Sequence, residues 1–244
     1  MHTAVVDRTA PASRTPTGIP GLDALIGGGF PVHRAVLLHG DIGTGKTTFG
    51  LQFLMEGAAR GDAGVLVSVD EKPQHVLDDA RRLGWDVDSA ANRRLITVLE
   101  ASPFFTALRG RNGLDARQVA SDLTQQVRRL KASRLVIDGA TSLVPDGAGA
   151  GVEDFLRSLI LSLEDNLGCT TVLTTRTSAG TDTSRLGTTA ERLTSGVVEL
   201  KLGLVDGRAV RSLQIRKMRG APTALGERPF DIVDGRGLVL RESS

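Results

Sequence analysis

The chain has 244 residues, 40% hydrophobic and 24% charged, with 30 basic side chains against 28 acidic ones, a balance that fits an ordinary soluble globular protein and excludes collagen, coiled coil and wholesale disorder. A lone cysteine, Cys169, cannot close an internal disulfide and no Cys or His cluster has metal-ligand spacing, which excludes a stapled secreted scaffold and a zinc module. No apolar run approaches the ~18 residues of a membrane span and the start carries charges where a signal peptide is apolar, so no membrane partner and a cytoplasmic location are expected.

Residues 1–14 are polar, without apolar periodicity, and read as a disordered leader ahead of one folded domain over 15–242. Strands are expected at 35–39, 65–69, 95–99, 135–137 and 170–174. Helices are expected between them: one after the first strand, one from Pro73 to a stop at Gly84, one over 116–130 capped by Asp115, and one over 152–167. In the last, Val152, Phe155, Leu156, Leu159, Ile160, Leu163 and Leu167 recur at helical spacing and make a stripe that must pack on a sheet. The strands lack strict alternation, as strands covered on both faces do. After Gly196 the runs at 197–202, 209–215, 230–233 and 238–240 are strand-like, and Asp206-Gly207 and Asp234-Gly235 mark tight turns. The fold class is therefore α/β: a mostly parallel twisted sheet flanked by helices, with a C-terminal antiparallel extension.

Gly40-Asp41-Ile42-Gly43-Thr44-Gly45-Lys46-Thr47 fits G-x-x-x-x-G-K-[ST], directly after a strand and directly before a helical segment. Glycines let successive backbone amides converge on phosphate oxygens, and the helix N-terminus behind them adds favourable dipole charge. Gly43, Thr44, Gly45, Lys46, Thr47 and Thr48 form the expected nucleotide-phosphate-binding set, with Lys46 neutralising the β- and γ-phosphates and the Thr47 hydroxyl a ligand to Mg2+. Arg134-Leu135-Val136-Ile137-Asp138 is an apolar strand ending in a carboxylate, which places Asp138 on the same Mg2+, directly or through water. Its alternative role is a helix or turn cap. A second acid-tipped strand ends in Asp70-Glu71, on the edge where a doubly wound sheet presents its ligand. Hydrolysis needs a group that orients the attacking water; Glu71 is the first choice, with Asp70 its runner-up or support. The competing role for both is capping the helix at Pro73.

Taken together, Thr17-Gly18-Ile19-Pro20-Gly21-Leu22-Asp23, the Gly27-Gly28-Gly29-Phe30-Pro31 turn, the glycine-rich loop, Gln52-Phe53-Leu54, Asp70-Glu71-Lys72-Pro73 and Leu83-Gly84-Trp85-Asp86 resemble the KaiC-like ATPases of the RecA superfamily. Asp138 with Thr141-Ser142, Thr174-Thr175, Lys217-Met218-Arg219-Gly220 and Gly226-Glu227-Arg228-Pro229-Phe230 follow in the family's order, so the likeness runs from about Arg14 to Leu240. One copy of the domain is present, where the circadian-clock members carry two. The resemblance implies a RecA-like ATPase core, ATP and Mg2+, and a homo-oligomeric ring, commonly a hexamer, with nucleotide at the subunit interface. It also implies that Asp70 and Glu71 activate water and that Lys217 and Arg219 face the neighbouring subunit's nucleotide; otherwise the two cations belong to a solvated strand face. The sequence departs from the clock proteins in several places. Asp70 replaces the first Glu of the usual pair, Arg176 stands where they have Glu, and Ala221 and Thr223 replace further nucleotide-contacting groups. Glu191-Arg192 occupy the place of the phosphorylated Ser-Thr pair, which excludes autophosphorylation there and makes the chain more like the hydrolytic first clock domain.

The leading expectation is an ATPase whose cycle drives changes in a homo-oligomer or a regulatory protein partner. The alternative is a nucleotide-dependent switch with negligible hydrolysis. A recombinase-like DNA-binding ATPase ranks last, because 139–151 contain no Lys or Arg and 177–190 contain only Arg185. His33, His39, His75, Trp85 and Cys169 are expected to pack rather than react.

Overall fold

Apolar strands alternating with amphipathic helices can hide both faces of a parallel sheet only if helices cover each side. The computed structural model has that arrangement, and it describes residues 13–92, 95–101, 116–143, 151–176, 191–221 and 226–241. In chain order the strands are β1 (Arg14–Thr15), β2 (Phe30–Pro31), β3 (Ala35–Gly40), β4 (Gly64–Ser68), β5 (Ile96–Glu100), β6 (Arg134–Asp138), β7 (Thr170–Arg176), β8 (Gly196–Val205), β9 (Arg208–Met218), β10 (Glu227–Val233) and β11 (Gly237–Leu240). The helices are α1 (Leu22–Leu25), α2 (Lys46–Ala59), α3 (Pro73–Arg82), α4 (Val87–Asn92), α5 (Ala116–Arg129) and α6 (Gly151–Asn166), with a 3-10 turn at Ala140–Leu143. The leader to residue 12, the Asp115 cap, Thr223 and most of 139–151 and 177–190 lie outside the described residues.

Nine strands form one sheet in the order β11-β10-β9-β8-β3-β7-β6-β4-β5. From β8 to β5 every neighbour pair is parallel, and β8-β9-β10-β11 is antiparallel, as the sequence predicts. Alternation along each strand sorts the core into two layers. Leu37, Val65, Val67, Leu135, Ile137 and Leu173 face α5 and α6, whose Val119, Leu123, Val127, Leu159, Ile160 and Leu163 are buried. Val36, Leu38, Leu66, Val136 and Val172 face the opposite way, onto Phe49, Phe53 and Leu54 of α2 and Val76 and Ala80 of α3. The antiparallel strands join this second layer through Leu213, Ile215, Phe230 and Leu238.

Asp206 and Gly207 both take positive φ, 51° and 73°, the two-residue turn whose twist matches a hairpin. The second hairpin is one residue longer than its Asp-Gly pair suggests. Val233 pairs with Gly237, Arg236 N–H donates to the Val233 carbonyl, and Gly235 supplies the positive φ of 73°, a type II arrangement that needs glycine at its third position. The β1–β2 pair and α4 have no counterpart in the predicted elements, being too short for a periodic signal.

Candidate active site

The carboxyl ends of β3, β4, β6 and β7 open onto one cleft of about 240 Å3. It lies at the ligand-binding edge of an open α/β sheet, beside the strand from which the chain leaves in both directions. β3 is flanked by β7 on one side and β8 on the other.

The loop from Gly40 to Thr47 wraps the mouth of that cleft. Gly43 and Gly45 have φ of 76° and 100°, a conformation that side chains disfavour and that turns backbone amides inward. Thr44 is fully buried and its hydroxyl donates to the Asp41 carbonyl at 2.8 Å, which pins the bend. The Lys46 ammonium donates to the carbonyls of Gly40 at 2.9 Å and Asp41 at 2.7 Å. Burial pulls its pKa below the usual lysine value; Asp138 opposes that fall and Arg176 adds to it. Thr47 and Thr48 follow in the first turn of α2.

Asp138 is held from both sides. Thr47 Oγ1 donates to one carboxylate oxygen at 2.7 Å and Thr174 Oγ1 to the other at 2.6 Å. Thr174 in turn accepts the Gly139 N–H at 2.8 Å, so the last residues of β6 and β7 are locked together at the cleft. A hydroxyl and a carboxylate oriented this way are hard oxygen donors, the kind Mg2+ combines with phosphate oxygens and water. Thr174 is the residue to which sequence reasoning gave no role. Its signals were the end of the strand expected at 170–174 and the Thr174-Thr175 pair in the family resemblance, neither of which assigns the hydroxyl a partner. Its neighbour Thr175 hydrogen-bonds His39 Nδ1 at 2.9 Å, and burial keeps that histidine's pKa low, in keeping with packing rather than proton transfer.

Asp70 and Glu71 follow β4 and line the same cleft. The Ser68 hydroxyl donates to the Glu71 carbonyl at 2.7 Å, which shapes the turn leading into α3. Asp70 lies over Gly139, where even a Cβ would come within 2.8 Å of its carboxylate, and faces the Arg176 guanidinium at 3.7 Å.

Lys217 and Arg219 sit elsewhere. Leu37 pairs with Val197 and Val197 with Lys217, three residues back from Gly40 and so on the order of 10 Å down the strand. Arg219 lies further in that direction, its N–H bonded to Ser195. The Lys217 ammonium donates to the carbonyls of Glu191, Arg192 and Thr194 at 2.8, 3.1 and 2.7 Å, and its pKa is lowered by burial and by Arg219. The Arg219 side chain is exposed. The fold thus gathers the glycine-rich loop, Asp138, Asp70 and Glu71, and leaves these two cations outside the cleft, toward the amino ends of the parallel strands.

A glycine-rich loop between strand and helix, with its lysine, its threonine and a carboxylate from β6, the parallel strand beyond β7, is the arrangement of a P-loop nucleoside triphosphatase fold. The family model "ATPase: KaiC" matches residues 15–244. The chain belongs to the KaiC ATPase family. It is 34% identical over 240 residues to a UPF0273 protein of Pyrococcus horikoshii, covering 93% of each chain. It is likewise 34% identical over 221 residues to the circadian clock oscillator protein KaiC of Synechococcus elongatus, which takes in 89% of this chain and 42% of that one. The crystal structure of a KaiC-like protein from Pyrococcus horikoshii superposes with a TM-score of 0.80 at 31% identity, over 95% of this chain and 100% of the other. Among the described residues no helix is long and apolar enough to cross a membrane.

Proposed function

We propose that the protein is a cytoplasmic, Mg2+-dependent ATPase, folded as one domain over 15–242, that works as a homo-oligomeric ring with nucleotide at the subunit interface. Its cycle drives assembly or acts on a regulatory protein partner. The observation that carries this reading is the carboxylate of Asp138, fixed between Thr47 and Thr174 at the mouth of the glycine-rich loop. Thr47 and Asp138 would hold Mg2+, which when bound neutralises charge on the β- and γ-phosphate oxygens.

The chain's own residues do the remaining work. Amides of Gly43 to Thr48 receive the phosphate oxygens at the start of α2, where the helix dipole favours negative charge. Lys46 exchanges its two loop carbonyls for the β- and γ-phosphates, a trade of neutral acceptors for charged ones. Glu71, with Asp70 beside it, orients the attacking water. Lys217 and Arg219, outside this cleft in their own chain, serve a neighbouring subunit's nucleotide in this reading, and an arginine supplied that way is worth 10³ to 10⁵ in rate, roughly 4 to 7 kcal/mol of barrier. Lys217 must first leave three carbonyls, which makes the exposed Arg219 the stronger candidate.

Steady-state ATP hydrolysis tests the assignment. Lys46→Ala abolishes turnover if the cleft is the active site; an unchanged rate refutes it. Arg219→Ala lowers turnover while the circular dichroism spectrum stays native, and turnover per subunit rises with protein concentration until rings form. A concentration-independent rate from a proven monomer rules out the shared site. One feature favours a second reading, a switch that binds ATP with negligible hydrolysis: Asp70 faces Arg176 rather than open solvent alone. Single-turnover hydrolysis measured beside ATP-dependent assembly separates the two.

A further inference from the structure

Arg176 is the last residue of β7, and its place in the register puts it directly beside Gly40, where the phosphate loop begins. Side chains two apart on a strand share a face, so Arg176 points the same way as Thr174, whose hydroxyl already touches Asp138. It lines the cleft together with Lys46, Thr47 and Asp138.

Two cations converging on one cleft repel each other unless an anion sits between them. Asp138 is committed to two hydroxyls, and Asp70 meets Arg176 only at 3.7 Å, with the guanidinium 52% exposed and the carboxylate 38% exposed. A pair so loose and so wet contributes little and is readily exchanged. A guanidinium also matches phosphate better than it matches a single distant carboxylate oxygen, because its parallel N–H groups can take two phosphate oxygens at once.

We propose that Arg176 binds the terminal phosphate of a nucleoside triphosphate within its own chain, leaving Asp70 to do so, and thereby makes the site discriminate triphosphate from diphosphate. The inference rests on the ATPase reading of the cleft and extends it. With triphosphate bound, Arg176 sits on the phosphate and Asp70 is released beside Glu71. With diphosphate bound, no oxygen reaches Arg176 and the ion pair with Asp70 remains. The residue is thus a sensor of the terminal phosphate as well as a ligand to it.

Calorimetric titration of the full chain with a nonhydrolysable ATP analogue and with ADP, each in Mg2+, tests this. Arg176→Gln is expected to weaken the analogue by roughly 10- to 100-fold, the worth of a hydrogen bond to a charged group, and to leave ADP within about twofold. Arg176→Lys restores part of the analogue's affinity by keeping the charge without the fork. Asp70→Asn removes the competing anion and tightens the analogue. Equal weakening of both nucleotides by Arg176→Gln, no weakening of either, or weaker analogue binding in Asp70→Asn overturns the proposal. Failure of the underlying reading looks different: the unmodified chain binds neither nucleotide, or Lys46→Ala changes neither affinity. Thermal melting of each variant without nucleotide confirms that the half-exposed substitution sites leave the fold intact.

Discussion

Replacing Thr174 by valine keeps the shape of the side chain and deletes one oxygen. That oxygen donates to Asp138 at 2.6 Å and accepts from the Gly139 amide at 2.8 Å, and the residue is 1% exposed, so water cannot easily take over either role. The first loss is a hydrogen bond to a charged group, about 1.5–3 kcal/mol, and the second strands a buried N–H at about 1–3 kcal/mol. With partial relaxation, Thr174→Val should destabilise the nucleotide-free protein by about 2–4 kcal/mol. Thr174→Ser removes a methyl instead and keeps both bonds, so its cost is the smaller one of a deleted buried methyl, about 1 kcal/mol. Denaturant unfolding of the three proteins, compared at a common slope, gives the ranking. The same series in an ATPase assay titrated with Mg2+ should show Thr174→Val needing more Mg2+ for half-maximal rate, because Asp138 keeps only Thr47 to orient it. If valine is tolerated better than serine, the hydroxyl bridge is not what holds β6 to β7 at the cleft.

Gly237 has φ of 70°, and a Cβ there would fall 2.4 Å from Gln52 Oε1 and 2.5 Å from the Trp85 ring. Gly237→Ala should therefore cost about 3 kcal/mol from backbone strain and overpacking, read as a lowered melting temperature. Gln52 is 5% exposed and ties α2 to three carbonyls, those of Gly18, Arg236 and Leu238, and to the Leu238 N–H. Gln52→Leu should loosen the β10–β11 hairpin, seen as faster amide exchange at Leu238 than in the unmodified chain. Burial pushes the Cys169 thiol from its ordinary 9.0 up to about 12. Its folded pKa is raised, so this stabilisation is full below pH 9 and falls as pH climbs toward 12, by at most about 1.4 kcal/mol per pH unit. Alkylation at pH 8 should be slow in the native protein and fast in denaturant, and Cys169→Ala should flatten part of the alkaline loss of stability.

Much of this molecule was legible because its signals are local. The glycine-rich loop declares itself through eight consecutive residues, and the strands that lead to Asp70 and Asp138 are short apolar runs with an acid at the end. The helix at Gly151–Asn166 followed from spacing alone. Its buried Phe155, Leu159, Ile160 and Leu163 are the stripe that periodicity predicts. Arg134 was harder to read, since it looked like a polar residue opening a strand. It is 1% exposed, donates to the carbonyls of Pro16 and Phe53 at 2.7 and 2.9 Å, stacks over the Phe53 ring and pairs with Asp62. No neighbour in sequence announces any of those partners.

The sequence by itself determined the alternation of strands and helices, the phosphate loop and the acids that belong with it, because hydrogen-bond register within a helix and side-chain alternation along a strand depend only on nearby residues. Only the tertiary structure decided that β7 lies between β3 and β6. That one adjacency brings Thr174 onto Asp138 and Arg176 beside Gly40, while the pairing of β8 with β9 carries Lys217 and Arg219 away from the cleft of their own chain. Strand order is set by pairing between segments far apart in the chain, Arg134 with Thr170 and Leu37 with Leu173 in this case, and such long-range pairing leaves no periodic trace in the sequence.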